Sequence, residues 1–313
     1  MSNGIRKMSA YADDESLSST LFRSALTTAR QATDALVYSS IYLVFIAMVE
    51  VATAMFALSL PPSPAPFVVG LVTFSVYVGD RIADRDSDEM TTPEQSAFVG
   101  RHASILSVLT AVSYGLAVAI AITGGPLALA ITLLPGAFWV LYASDWLPSV
   151  GGQFKRLKDI LVVNSAIVAG AWAIAVVLLP VAFADAALTP TTAVVFIYFF
   201  VDTFVNTEIP NVRDRKGDAE IGVSTLPVVF GVRRTRQILY ALDLCLIGFL
   251  VTAFLAGLLS IALTVGILVG LGYALILAAF IGRTERYGRL SIAGEAKHLV
   301  VVAIVLCLTA AGI

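Results

Sequence analysis

The stretch Ala193–Asp218, AVVFIYFFVDTFVNTEIPNVRDRKGD, carries the pattern that decides the fold. It opens as an apolar run, admits one acid at Asp202, and ends in a charged cluster where Asp214 and Asp218 stand four apart. Apolar runs of this length, charged mainly at their ends, read as membrane-spanning helices rather than core strands. A second segment has the same grammar: the run ending at Tyr77-Val78-Gly79 passes into Asp80, Asp84 and Asp88. A spacing of four puts each acidic set on one face of a helical turn, where like charges repel by about 0.2–0.5 kcal/mol per pair. A hard divalent cation relieves that repulsion, because carboxylate oxygens are the ligands Mg²⁺ prefers. Two such sets at the ends of apolar spans point to a site for a metal-bound phosphate.

The whole chain supports this class. Of its 313 residues 58% are hydrophobic and only 13% charged, where soluble proteins carry about 25% charged residues. Nine apolar spans are expected, at about 35–60, 63–82, 103–123, 125–143, 160–183, 187–207, 236–256, 258–281 and 297–313. All 20 Lys and Arg fall in the N-terminal tail or in alternate connections, from Arg81, Arg85 and Arg101 after the second span to Arg283, Arg286, Arg289 and Lys297 after the eighth. The opposite connections carry none, so the positive-inside rule puts the tail and both acidic clusters in the cytoplasm and the C-terminus outside.

The expected fold is therefore all-α: a polytopic membrane protein with nine transmembrane helices around a central cavity open to the cytoplasmic side. Residues 1–34 read as a polar tail, and 35–313 as one transmembrane domain. Acidic clusters after spans two and six, and basic ones after four and eight, suggest four-helix halves at about 35–159 and 160–296. The first apolar run is long enough to span, so no cleaved signal peptide is expected. Basic residues that alternate with acids in short connections leave no nucleic-acid footprint.

Three local readings follow. Pro210 should break or kink its helix, leaving Asn211–Gly231 as a polar loop whose apolar strip, Leu226–Phe230, caps the cavity mouth. Glu50 and Asp202 sit inside spans, where ionisable groups are rare and expensive. Asp202 with Asn206 could order the second acidic motif, and Glu50 could line an acceptor pocket. Cys245 and Cys307 read as small packing residues.

The two clusters, read in full, resemble the UbiA superfamily of intramembrane prenyltransferases. Asp80, Asp84 and Asp88 match its first acidic motif, after the second helix. From Asp214 through Asp218, Gly222, Thr225-Leu226-Pro227 and Gly231 the chain follows its second, after the sixth helix. Asp80 stands where the family has Asn. In the downstream register Thr91–Arg101, Pro93, Gly100 and Arg101 are kept, while Gln95 replaces a basic residue and Ser96 a proline.

The resemblance implies an enzyme that moves a polyprenyl group from an allylic diphosphate donor to a lipophilic acceptor. That acceptor would be a quinone precursor, a glycerophosphate lipid or a carotenoid. It implies Mg²⁺ held by Asp80, Asp84, Asp88, Asp214 and Asp218, because the leaving diphosphate must be neutralised. Arg101, Lys155, Arg156, Lys158 and Arg215 are the cationic candidates for the diphosphate, and Asn211 and Tyr142 complete the expected substrate contacts. A dry tunnel with aromatic side chains such as Trp139, Trp172 and Tyr198 would shield a carbocation from water. The expected setting is the cell membrane, with tail and site in the cytoplasm. The rival class is a cation-coupled transporter or channel, whose carboxylates should lie near mid-membrane at broken helices.

Helical register makes one expectation sharp. Asp84→Ala and Asp214→Ala should each abolish turnover, while Asp86→Ala, off the shared face, should be mild. Equal losses for Asp84→Ala and Asp86→Ala in one assay would rule out the shared face.

Overall fold

A bilayer offers no water to backbone N–H and C=O groups, so a chain this apolar must satisfy them within each segment. The protein, seen in a computed structural model that describes residues 36–85, 89, 92–143, 163–284 and 286–313, does so with helices alone among those residues. In chain order they are α1 (Ile41–Ala57), α2 (Ala65–Ala83), α3 (Pro93–Ala121), α4 (Gly125–Ala143), α5 (Val163–Ala173), α6 (Leu179–Phe183), α7 (Pro190–Ile221), α8 (Leu226–Leu255), α9 (Ile261–Ala278) and α10 (Tyr287–Ala310). A 3₁₀ turn, Ile122–Gly124, links α3 to α4, and a π turn, Ile174–Leu178, joins α5 and α6 into one rod. Among the described residues, seven helical stretches are long and apolar enough to cross a membrane; one of them, Pro93–Ala137, runs through the 3₁₀ turn. Helix α1 is apolar but shorter, at 17 residues.

Helix α7 is the long rod that the opening stretch encodes. Thr189 and Thr192 close a capping box at its start, and Pro190 occupies its first turn, where a missing N–H costs nothing. Pro210 does not end it. The helix continues to Ile221 and stops at Gly222, whose φ of 80° suits glycine. The expected polar loop Asn211–Gly231 is thus helical through Ile221, and both carboxylates of the second motif ride on the rod. The expected cap is also corrected: Leu226 packs inward against Ala169 and Phe204, while Val229 and Phe230 are exposed. Gly231, at φ 75° and ψ 158°, breaks the regular backbone between this apolar turn and the rest of α8.

Two other boundaries move for the same reason, that polar residues can continue a helix beyond its apolar part. Helix α3 starts at Pro93 rather than near 103, so Arg101 lies on a helix. Helix α10 starts at Tyr287 rather than 297, so Lys297 is an interior helical residue and not part of a connection. Cys245 and Cys307 are exposed rather than packed inside.

The apolar surface faces outward and the polar groups inward. Ile105, Val108, Val112 and Leu116 of α3, and Leu299 and Leu306 of α10, are exposed. Helix α2 packs between α1 and α3, α7 between α5 and α8, and α10 touches α9, α1 and α7. Gly266 and Gly270 of α9 let α10 approach closely: a Cβ at either would meet Val305 or Val301 side chains at 2.8 and 2.5 Å.

Where α1, α7 and α10 meet, four ionisable side chains are shut away from water. Glu50, Asp202, Lys297 and His298 are 2%, 1%, 1% and 3% exposed. Lys297 Nζ lies 2.6 Å from Asp202 Oδ1 and donates to Asn206 Oδ1 at 2.9 Å. His298 Nε2 lies 2.7 Å from Glu50 Oε1 and 3.3 Å from Asp202 Oδ2. With His298 as an imidazolium, two cations would meet two carboxylates, the balance that buried charges require.

Removing one partner would leave an uncompensated charge. Lys297→Ala should cost about 3–5 kcal/mol, read as a lower melting temperature in detergent. Lys297→Met combined with Asp202→Leu should recover most of that loss. An unchanged melting temperature in Lys297→Ala would show that the pair does not hold the helices.

Candidate active site

A cavity of about 610 Å³ lies between α1, α2, α7 and α10, within the usual range for ligand pockets, about 300–1,000 Å³. Helical spacing explains its walls. Tyr42, Ile46 and Glu50 recur every four residues on α1, and Gly288, Ser291, Ile292 and Glu295 form the matching stripe on α10. Asn206, Pro210 and Arg213 supply the α7 wall. The proline leaves the Asn206 carbonyl without its i+4 N–H donor beside the cavity.

The cavity has a charged mouth and a separate floor. Asp80, Arg81 and Arg213 line the mouth. Arg81 Nε donates to Ser40 Oγ at 2.9 Å, which ties the mouth to the start of α1. Glu50 lies ten residues further along that helix, about 15 Å deeper at the helical rise. Gln95 and Ser96, the two departures from the family register, act as structural ties here. Gln95 Nε2 donates to the Tyr38 carbonyl at 3.3 Å, and Ser96 Oγ donates to the Arg85 carbonyl at 2.9 Å. Tyr38 in turn donates to Glu94 Oε2 at 2.7 Å.

At the floor Glu50 is held on both oxygens, by His298 at Oε1 and by the Trp172 indole N–H at Oε2, 2.6 Å away. Glu295 joins them from α10, and Glu50, Glu295 and His298 place ligand atoms within 4.8 Å of one another. A histidine among carboxylates can hold a metal, but here the imidazole and Glu50 can balance each other with no ion needed.

The expected site residues divide. Asp80 lines the cavity, and Asp84, one turn on at the C-cap of α2, keeps register through its N–H to the Asp80 carbonyl at 2.8 Å. Asp214 receives both Nε and an outer nitrogen of Arg213 at 2.7 Å, and Asp218 follows one turn later on α7. Among the described residues the acidic motifs do not bring three possible ligand groups together, as Glu50, Glu295 and His298 do at the floor. Asn211 is turned to α5, where its amide donates to Ser165 Oγ at 3.4 Å and Ser165 donates to buried Glu208 at 2.7 Å. Arg101 is exposed, Arg215 is half-buried, and neither lines the cavity. Tyr142 falls in the last turn of α4. Asp88, Lys155, Arg156 and Lys158 lie outside the described residues.

Sequence reasoning missed Glu295 and His298 and treated Lys297 as a surface anchor. The signal was present as Glu295-Ala296-Lys297-His298, but it adjoins a charged connection and the apolar window began only after it. Arg81 and Arg213, read as positive-inside anchors, are cavity residues.

Among the described residues, helices with apolar outer faces surround a polar cavity with charged residues at its mouth, the architecture of an intramembrane enzyme. The model of the UbiA prenyltransferase family matches residues 40–291, and the chain belongs to that family. Solved structures share the fold. A UbiA homolog from Archaeoglobus fulgidus bound to GPP and Mg²⁺ superposes with a TM-score of 0.60 at 15% identity, covering 86% of this chain and 99% of that one. The apo UbiA homolog from Aeropyrum pernix K1 gives 0.59 at 13% identity, over 86% and 98%. A digeranylgeranylglyceryl phosphate synthase gives 0.57 at 14%, over 88% and 98%. No curated protein matches the chain.

The Trp172–Glu50 contact can be measured directly. A hydrogen bond to a charged group contributes about 1.5–3 kcal/mol, so Trp172→Phe should lower the melting temperature. In a Glu50→Gln background the same change should cost clearly less. Equal costs in both backgrounds would show that the indole does not hold the carboxylate.

Proposed function

We propose that this protein transfers a polyprenyl group from an allylic diphosphate to a lipophilic acceptor, at a cavity that opens to the cytoplasm. The observation that carries this reading is the polarity of the cavity: cations and a carboxylate at its mouth, and a floor about 15 Å deeper at the helical rise. A diphosphate fits the mouth, where Arg81 and Arg213 offer guanidinium groups suited to phosphate oxygens. Asp80 and Asp84 on α2, with Asp214 and Asp218 on α7, are the oxygen donors that would hold Mg²⁺ there. Acid-only, exposed or half-buried donor sets suit that hard ion better than the His-containing floor does. The bound ion would neutralise the departing diphosphate. The family match and the Mg²⁺- and GPP-bound Archaeoglobus fulgidus relative support both assignments.

The chain's own residues do the rest. Arg213 holds Asp214 in place through two parallel contacts, and the Arg81–Ser40 bond keeps α1 against the mouth. The aromatic side chains of Tyr42, Tyr77 and Trp172 line the interior, where water must be excluded from a cationic prenyl group. We propose nine crossings among the described residues: α1, α2, α3, α4, the α5–α6 rod, α7, α8, α9 and α10. This puts the Lys- and Arg-bearing helix ends on one side, which the positive-inside rule makes cytoplasmic. The mid-helix charges do not favour a transporter, because they neutralise one another rather than await an ion.

The acceptor class is the open chemistry: a quinone precursor, a glycerophosphate lipid or a carotenoid. Purified protein with labelled geranylgeranyl diphosphate should form a prenylated product with one of these classes and lose that activity in EDTA. Full activity in EDTA would overturn the metal assignment, and failure to consume the donor would overturn the reaction.

A further inference from the structure

The basic side chains at the mouth's end of the molecule do not all gather at the cavity. On another face of α7, Val205, Ile209 and Val212 pack with Leu239 of α8, with Ile281 and with Leu290 of α10. Lys216, one turn past Val212, continues the α7 stripe, and Arg286, one turn before Leu290, extends the α10 one. From α8, Val232 lies so close to Gly282 that an added Cβ there would meet its side chain at 2.6 Å. Arg236 donates to the Ile281 carbonyl at 2.9 Å. These contacts bring Arg233 and Arg283, the next residues in sequence to Val232 and Gly282, to the same corner. Lys216, Arg233, Arg283 and Arg286 are all exposed, and none makes an ion pair with another described residue. None lines the cavity. Glu220, one turn past Lys216, and Glu285, between Arg283 and Arg286 in sequence, leave the cations in excess.

An apolar surface runs from this corner toward the middle of the membrane. Helices α8 and α9 pack together. On α8, Leu244 and Val251 share the face of Arg233 by helical spacing and are exposed. Ile276 of α9 and Phe280, just past its end, are exposed on the approach to Arg283. Cations above such a surface match an amphiphile with an anionic head and apolar chains. We propose that this corner binds an anionic phospholipid, its phosphate among Lys216, Arg233, Arg283 and Arg286 and its acyl chains along α8 and α9. Guanidinium groups suit phosphate oxygens, and basic recesses between helix ends on the cytoplasmic side are recognised by lipid headgroups in this way. A free phosphate would leave the apolar surface uncovered. Bound lipid would join the ends of α7, α8 and α10. Lys216 stands between Asp214 and Asp218 on α7, so the lipid would also steady the second acidic motif.

Lipid binding here is independent of whether the cavity transfers prenyl groups, and its test uses no turnover. The full chain, purified in a neutral detergent, is mixed with equal amounts of phosphatidylglycerol and phosphatidylcholine, and native mass spectrometry counts each lipid retained. In parallel, the melting temperature is read with phosphatidylglycerol, glycerol 1-phosphate or inorganic phosphate. Wild type should retain phosphatidylglycerol over phosphatidylcholine, and its melting temperature should rise with the lipid more than with either soluble phosphate. Arg233→Gln should lower the ratio of bound phosphatidylglycerol to phosphatidylcholine about fivefold, the loss expected for one cation at an anionic lipid surface. Adding Arg283→Gln and Arg286→Gln should lower it on the order of a hundredfold. Arg234→Gln removes the same charge from the same helix, but off the Arg233 face, and should lower the ratio clearly less. Equal retention of the two lipids by wild type would overturn the proposal without recourse to any variant. Equal losses for Arg233→Gln and Arg234→Gln would overturn the site, since general attraction of basic helix ends to lipid would then suffice. Stabilisation by a soluble phosphate as large as that by phosphatidylglycerol would overturn the lipid as its occupant.

Discussion

Everything at the centre of this protein depends on two cations meeting two carboxylates where water cannot reach. Lys297 with Asp202 and His298 with Glu50 join α10 to α7 and α1, and Trp172 adds α5 to the same knot. Desolvating four charges is expensive, and pairs of this kind contribute less to net stability than their short distances suggest. What they do supply is register. If α10 rotated by one residue, Lys297 and His298 would leave their partners and present charge to apolar neighbours. The rotation that satisfies the charges is also the one that turns Glu295 toward the cavity.

Helix α7 carries that register from the floor to the mouth. Asp202, Asn206, Pro210 and Arg213 lie along one rod, and the acidic motif continues it to Asp218. Sixteen residues of helix correspond to about 24 Å, so a single rigid element sets the distance between the buried charges and the diphosphate end. Pro210 is tolerated because neighbouring helices can satisfy what the proline frees. Asn206 stands at that point, where its side chain takes a hydrogen bond from Lys297. A flexible loop in the same place would have let the mouth move independently of the floor.

Much of the fold was legible before any coordinates. Apolar runs, their lengths and the alternation of basic connections placed the helices to within a few residues through most of the chain. The errors share one cause: windows of apolarity see only the lipid-facing part of a helix. They therefore cut α3, α7, α8 and α10 short where polar residues extend the rod into the head-group region or toward an internal cavity. Lys297 is the sharpest case, since a charged residue ten positions into α10 looks like the end of a connection when its partners are 91 and 95 residues away.

By itself the sequence determined the class of protein, the two acidic sets and their spacing, because each is a local pattern written in consecutive residues. Glu50 and Asp202 could be flagged in the same way, as charges standing inside apolar runs. Only the tertiary structure decided what those charges are for. Whether Glu50 faces lipid, a partner or a cavity depends on how α1, α5 and α10 are rotated about their axes, and that is settled by long-range pairing and close packing at Gly266 and Gly270. The mouth is legible one helix at a time; the floor exists only once three distant helices meet.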